Sequence, residues 1–142
     1  MNSHYNQGYS REEIGAVLSL IKSCVSGGRY TISLNDKRQE NADFIRKYNV
    51  HTKRQKSILM QIEVEDFCHS LQNTNIGYEH ETLYVFAPQV KLFNAEGNEE
   101  TVDVYTKFNI LDLPSGNRTV VISFHERNKP IKYLFRERKG ED

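Results

Sequence analysis

Two alternating segments near the C-terminal end, residues 101–110 and 118–126, constrain this chain more than any other feature. In the first, Val102, Val104, Thr106, Phe108 and Ile110 alternate with Asp103, Tyr105, Lys107 and Asn109, the period-two pattern of a half-buried strand. In the second, Val120, Ile122 and Phe124 share a face, and Val121, Ser123 and His125 point the other way. The intervening Leu113-Pro114-Ser115-Gly116-Asn117 is dense in turn formers, which predicts an antiparallel hairpin. Holding the two apolar faces together allows only pairs whose residue numbers sum to an even value, because a one-residue slip turns every side chain over. A turn centred on Ser115 then sets Tyr105 opposite His125 and Lys107 opposite Ser123. The expectation is a phenol, an ammonium and an imidazole on one exposed sheet face, with Arg127 and Lys129 just beyond the strand end.

The preceding chain supplies what must cover the other face. Ser10-Arg11-Glu12-Glu13 has the form of a capping box, and Ile14, Val17, Leu18, Ile21 and Val25 follow at helical spacing before Gly27-Gly28. Residues 29–34 read as a short strand, residues 35–40 as a polar loop, and Asn41 as the cap of a second helix with Ala42, Phe44, Ile45 and Tyr48 inward. Residues 51–56 read as an exposed basic loop and 58–62 as a buried strand. Val64, Phe67, Cys68 and Leu71 fall at i, i+3, i+4 and i+7, which predicts a third helix over 63–72 with His69 off its apolar face. A strand over 81–93 interrupted by Pro88, a turn over 94–98 and a last strand over 130–136 complete the pattern. Helices before an antiparallel meander give an α+β class. The 142 residues fit one domain, with 1–9 and 137–142 expected as flexible ends.

No segment approaches the roughly 20 apolar residues that span a bilayer, and residues 1–10 lack an apolar signal region, so a soluble cytoplasmic protein without membrane contact is expected. Cys24 and Cys68 sit in apolar stretches and read as reduced, inert thiols. Net charge is zero but unevenly spread: residues 1–56 carry ten Lys and Arg against five Asp and Glu, 57–117 two against ten, and 118–142 seven against four. If the basic ends converge, a neutral protein can still present a phosphate-binding groove, since local potential outweighs the total. Lys53, Arg54 and Lys56 at one end and Arg127 and Lys129 at the other are the candidate phosphate contacts.

No phosphate-binding glycine loop, nucleophile elbow or metal-ligand spacing is present, so neither a cofactor nor a metal is expected. What remains is the face bearing Tyr105, Lys107 and His125, a set of side chains suited to metal-free cleavage of RNA.

Four landmarks in order extend this reading: Leu18-Ser19-Leu20-Ile21-Lys22 with Val25 and Gly27; residues 62–70, Ile-Glu-Val-Glu-Asp-Phe-Cys-His-Ser; Val104-Tyr105-Thr106-Lys107; and residues 120–126, Val-Val-Ile-Ser-Phe-His-Glu. Together, over about residues 16–127, they resemble the MqsR toxins, messenger-RNA endoribonucleases with a RelE-like fold that form the toxin halves of type II toxin–antitoxin pairs. The resemblance implies an antiparallel sheet packed against two or three helices from the N-terminal half. It also implies cleavage of single-stranded messenger RNA by 2′-hydroxyl attack, neutralisation by an antitoxin protein and a possible link to the ribosome. The family's catalytic tyrosine falls on Tyr105, its C-terminal catalytic lysine on His125, and a further functional lysine on His69, so imidazoles stand where the family has two ammonium groups. That difference leaves a second expectation open, a non-catalytic RelE-like module that binds RNA or protein.

Overall fold

A computed structural model describes residues 5–136 of the chain. In chain order the elements are α1 (Arg11–Ser26), β1 (Tyr30–Ile32), α2 (Gln39–Lys47), α3 (Thr52–Met60), β2 (Phe67–Gln72), β3 (Thr82–Phe86), β4 (Gln89–Phe93), β5 (Glu99–Leu113) and β6 (Gly116–Glu126), with short 3-10 turns at Asp36–Arg38 and Val64–Asp66. Three helices and one six-stranded sheet make an α+β fold. The strands run in the order β1-β6-β5-β3-β2, with β4 paired to β5. The sheet is mixed rather than antiparallel, because β1 joins β6 in parallel. Among the described residues no helix is long and apolar enough to cross a membrane.

The capping box of α1 forms as expected, Ser10 and Glu13 each satisfying the other's backbone N–H. Ile14, Leu18, Ile21 and Val25 of α1 then meet Phe44 of α2 and Tyr48 at its end, Ile58 and Leu59 of α3, and the sheet residues Phe67, Phe86, Val104, Phe108, Val121 and Phe124 in the main core. The aromatic members interlock edge to face, as in Phe44 against Phe124 and Phe86 against Phe108.

Several local expectations give way to packing. Residues 52–60 are neither loop nor strand but helix α3: Lys53, Arg54, Gln55 and Lys56 are good helix formers, and the short run at 58–62 carries no period that separates strand from helix. The predicted helix over 63–72 is a single 3-10 turn followed by β2. Phe67 to Ser70 are all buried because β2 is covered on both faces, so every second residue need not be polar, and the i, i+3, i+4 spacing there is coincidental. Asn41 does not cap α2. It lies inside the helix, donates from Nδ2 to the Ser33 and Ile122 carbonyls (2.8 and 3.0 Å), and accepts at Oδ1 from the Phe124 N–H (2.8 Å).

The hairpin contains a bulge. Tyr105 pairs with His125 and Lys107 with Ser123, but beyond Lys107 the register shifts so that Phe108 faces Val121 and Leu113 faces Gly116. Ile122 is the extra residue, which places Val121 in the core and corrects the expectation that Val120 and Ile122 share the face of Phe124. The connection is accordingly the two residues Pro114 and Ser115, followed by Gly116 at φ 117°.

Residues 5–9 and 130–136 both pack on the sheet. Residues 5–9 are docked: Asn6 exchanges backbone bonds with Ser70 (2.8 and 2.9 Å), and the Tyr9 hydroxyl lies 2.6 Å from Ser70 Oγ. Residues 130–136 form no strand but run across the sheet, tied by Tyr133 Oη to the Ala87 carbonyl (2.6 Å), Leu134 N–H to the Phe67 carbonyl (3.1 Å) and Arg136 to Asp66 (2.5 Å). Residues 1–4 and the expected charged tail 137–142 lie outside the described residues.

Asn41→Ala removes a side chain that satisfies three buried backbone groups on two elements. Urea unfolding should show a loss of about 2–4 kcal/mol. A loss within 0.5 kcal/mol, in the range of ordinary surface changes, would mean those groups find other partners.

Candidate functional site

Alternation along β5 sends Thr106 and Phe108 towards the helices and Tyr105 and Lys107 to the opposite face. Ladder pairing extends that face into rows. One row crosses four strands as His69 on β2, Val85 on β3, Lys107 on β5 and Ser123 on β6. The next contains Tyr105 and His125, whose rings stack with centroids 5.5 Å apart and planes 24° from parallel. The structure therefore brings together Tyr105, Lys107, His125 and His69, the last on a strand rather than on a helix.

This face is not open to solvent as the sequence suggested. Tyr105 is 3 % exposed, His69 4 % and His125 8 %. The reason lies in the two ends of the chain. Ile131 and Tyr133 pack with Tyr105, Val85, Ala87 and Cys68 into a second, smaller core, and the Tyr5 ring lies flat on His69 at 3.7 Å and 9°. Burial pushes the Tyr105 phenol well above its ordinary value and the Cys68 thiol up to about 12, so neither ionises near neutrality. The Tyr105 ring offers a stacking surface to His125, and Cys68 stays a thiol. Both cysteines are buried and free.

His125 is oriented by its neighbour. Nδ1 lies 2.7 Å from the Glu126 carbonyl, which can only accept, so Nδ1 carries a proton and donates; in the neutral ring Nε2 is then the acceptor. Nε2 faces Glu40 of α2 at 3.9 Å, on the edge of a 220 Å³ hollow formed with Asp43, Lys47 and Asn128. Glu40 also accepts from the Asn128 side chain.

The cations divide into two groups. Lys129 Nζ stands 5.2 Å from the centre of the Tyr105 ring. Lys107 is held below its ordinary pKa by burial, then by the positive charges of Lys129 and Arg38. Arg38, which precedes α2 and carried no sequence signal, shares with Lys107 a 140 Å³ pocket floored by Leu71, Leu83 and Ile122. Among the described residues no carboxylate lies within ion-pair distance of Lys107, Lys129 or Arg38. Arg127, by contrast, is occupied: it bonds Asp103 at 3.0 Å and the Lys129 carbonyl at 3.1 Å, and so positions Lys129 rather than meeting a ligand itself. Lys53, Arg54 and Lys56 lie on α3, which packs on the other face of the sheet, with Arg54 bonded to the Lys91 carbonyl and Lys56 to the Ser26 carbonyl. Lys53, Arg54 and Lys56 therefore do not join Lys129 in one groove; of the first basic stretch it is Arg38 that stands near Lys107 and Lys129. Arg38 and Glu40 join the site only because Asn41 bonds to β6 and brings the start of α2 against it.

The His69 imidazole is lowered from 6.5 to about 4, first by burial and then by Lys129 and Lys107. Between those two pH values the unfolded chain takes up a proton that the folded chain refuses. The stability this group contributes is therefore complete above pH 6.5 and is lost as pH falls towards 4, by about 3 kcal/mol in all. Urea midpoints measured from pH 7 to pH 4 should fall less steeply in His69→Gln than in the parent; parallel curves would show that His69 titrates normally.

No family model, curated protein or solved structure matches this chain.

Proposed function

We propose that this protein is a metal-independent endoribonuclease of RelE-like type that cleaves single-stranded messenger RNA, a toxin restrained by an antitoxin protein. One observation carries the reading. An imidazole that donates from Nδ1 to a backbone carbonyl and faces Glu40 with Nε2 stands diagonally across the ladder from a half-buried lysine, which with Lys129 and Arg38 forms a group of cations that no described carboxylate pairs.

The chemistry follows from the placement. His125 Nε2 takes the proton of a ribose 2′-hydroxyl, and the oxygen attacks the adjacent phosphorus. Glu40 stabilises the imidazolium that forms. Lys107 is a better acid than an ordinary lysine because burial, and then the repulsion of its neighbours, disfavours its charge, and it delivers a proton to the departing 5′-oxygen. The products are a 2′,3′-cyclic phosphate and a 5′-hydroxyl, with atoms and charge balanced and no metal used. Lys129 and Arg38 hold the phosphate, and Tyr105 supports His125 by stacking. Lysines at the two family positions would be charged donors; the histidines here shift the proton-accepting role to His125 and leave donation to Lys107.

A second reading, a non-catalytic module that binds RNA or protein, is favoured by the burial of His125 and by the cover that Ile131 and Tyr133 place over Tyr105. Incubation with single-stranded RNA in EDTA separates the two. The nuclease reading expects cleavage to fragments ending in cyclic phosphate, reduced about 10² to 10⁴-fold in His125→Ala and in Lys107→Met. Intact RNA, or His125→Ala that is folded and as active as the parent, decides for the module. Binding should weaken with salt, and Lys107→Met or Lys129→Ala should each flatten the log–log slope by about 0.7, the value for one phosphate on a single strand. Arg127→Ala, by contrast, should act through the position of Lys129.

A further inference from the structure

Residues 5–9 lie along the outer edge of β2, held there by few bonds. Asn6 and Ser70 exchange backbone bonds (2.8 and 2.9 Å), Gln7 donates from Nε2 to the Cys68 and Lys132 carbonyls (2.7 and 3.2 Å), and the Tyr9 hydroxyl meets Ser70 Oγ. Between this segment and residues 130–132 a cavity of about 470 Å³ stays open, so apart from the Gln7 amide one flank of the segment is unsupported. Tyr5 stands beyond the first of these attachments. Its side chain makes no hydrogen bond among the described residues, and its half-buried ring lies flat on His69. The same contact leaves His69 Nε2 buried without a described partner. Buried polar atoms are nearly always bonded, and an unbonded one opposes the state that buries it. Lifting Tyr5 admits water to Nε2, so opening restores a bond that closure removes.

What the ring covers gives this contact its consequence. Lys107 shares a ladder row with His69, and both Lys107 and Lys129 stand near enough to disfavour a charge on that imidazole. His69 therefore borders the cations that no described carboxylate pairs. The Tyr5 hydroxyl is also close enough to Tyr105 to disfavour its ionisation, so the ring reaches from β2 towards the middle of the face. A polyanion laid on Lys107 and Lys129 meets Tyr5 on one side.

We propose that residues 5–9 are an autoinhibitory strap: closed, Tyr5 shuts the His69 end of the cation row, and open, it lets single-stranded RNA lie across that row. The competitor is a strand of phosphates, which the lysines attract whatever its base sequence. The proposal rests on the RNA reading above and adds to it the step that admits the strand. A strap open in about one molecule in ten makes the apparent affinity about tenfold weaker than that of the open form.

Binding of a 2′-O-methyl single-stranded RNA, which has no free 2′-hydroxyl to attack with, tests the strap by fluorescence anisotropy. Asn6 and Ser70 form a hydrogen-bonded antiparallel pair, whose Cα atoms lie about 5.5 Å apart, the usual separation across a disulfide. The double variant Asn6→Cys/Ser70→Cys is therefore a reversible lock, and the buried Cys68 thiol, pushed up to about 12, does not compete for it. Oxidised, the lock should bind at least about tenfold more weakly than the same protein after reduction. Tyr5→Ala should bind about tenfold more tightly than the parent. Without RNA, its His69 titration, followed by NMR, should move from about 4 back towards 6.5. Tyr5→Phe keeps the ring and should behave as the parent. Equal affinity of the oxidised and reduced lock, Tyr5→Ala that binds no tighter or leaves the His69 titration in place, or no RNA binding by these proteins each overturns the strap. Cleavage of unmodified RNA in EDTA, run in parallel, keeps the two ideas apart. Strap-dependent binding without cleavage upholds the strap and removes the nuclease, whereas equal cleavage by the oxidised and reduced lock removes the strap and leaves the nuclease.

Discussion

The ladder between β5 and β6 is the interaction on which the rest of this structure depends. β5 is the longest strand, and β6, β3 and β4 all pair with it. The bulge at Ile122 lets one continuous pair of strands serve two demands. On the turn side it places Phe108 and Val121 in the core, and on the open side Phe124 and Thr106, while Tyr105, Lys107, Ser123 and His125 stay together on the far face. Without the extra residue, one side of the hairpin or the other would present its polar set to the helices. Asn41 then reads the deformed strand directly, taking the Ile122 carbonyl and the Phe124 N–H into the start of α2.

The second face is built from chain ends. Residues 5–9 cover the outer edge of β2, which as an edge strand would otherwise expose unpaired backbone groups. Residues 130–136 complete a small core over Tyr105, Val85 and Cys68. Burial there would suit an apolar surface, yet the face retains a lysine, two histidines and a nearby arginine. Desolvation lowers both Lys107 and His69, and mutual repulsion among the cations adds to it. Folding gains nothing from such a group.

Legibility in the sequence followed the range of the forces involved. The capping box of α1, the turn before β5 and the Tyr105–His125 and Lys107–Ser123 pairs were readable because side-chain alternation and turn chemistry act over a few residues. The pairs emerged from an even-sum register, although the turn itself is one residue shorter and the bulge restores the difference. Residues 58–62 and 63–72 were read with helix and strand exchanged, since short apolar runs have no decisive period and β2 is buried on both sides by segments remote in sequence. Arg38 and Glu40 carried no signal, because only the docking of α2 on β6 brings them to His125 and Lys107.

The sequence by itself determined the α+β class, the amphipathic first helix and the sharing of one hairpin face by Tyr105, Lys107, Ser123 and His125, since each follows from local periodicity. Tertiary structure alone decided that this face is covered, that Arg127 is spent on Asp103, that Lys53, Arg54 and Lys56 lie on the opposite side, and that His69 is a buried neutral ring. Those outcomes depend on which distant segments meet, and solvation and charge environment are properties of the meeting rather than of the residues.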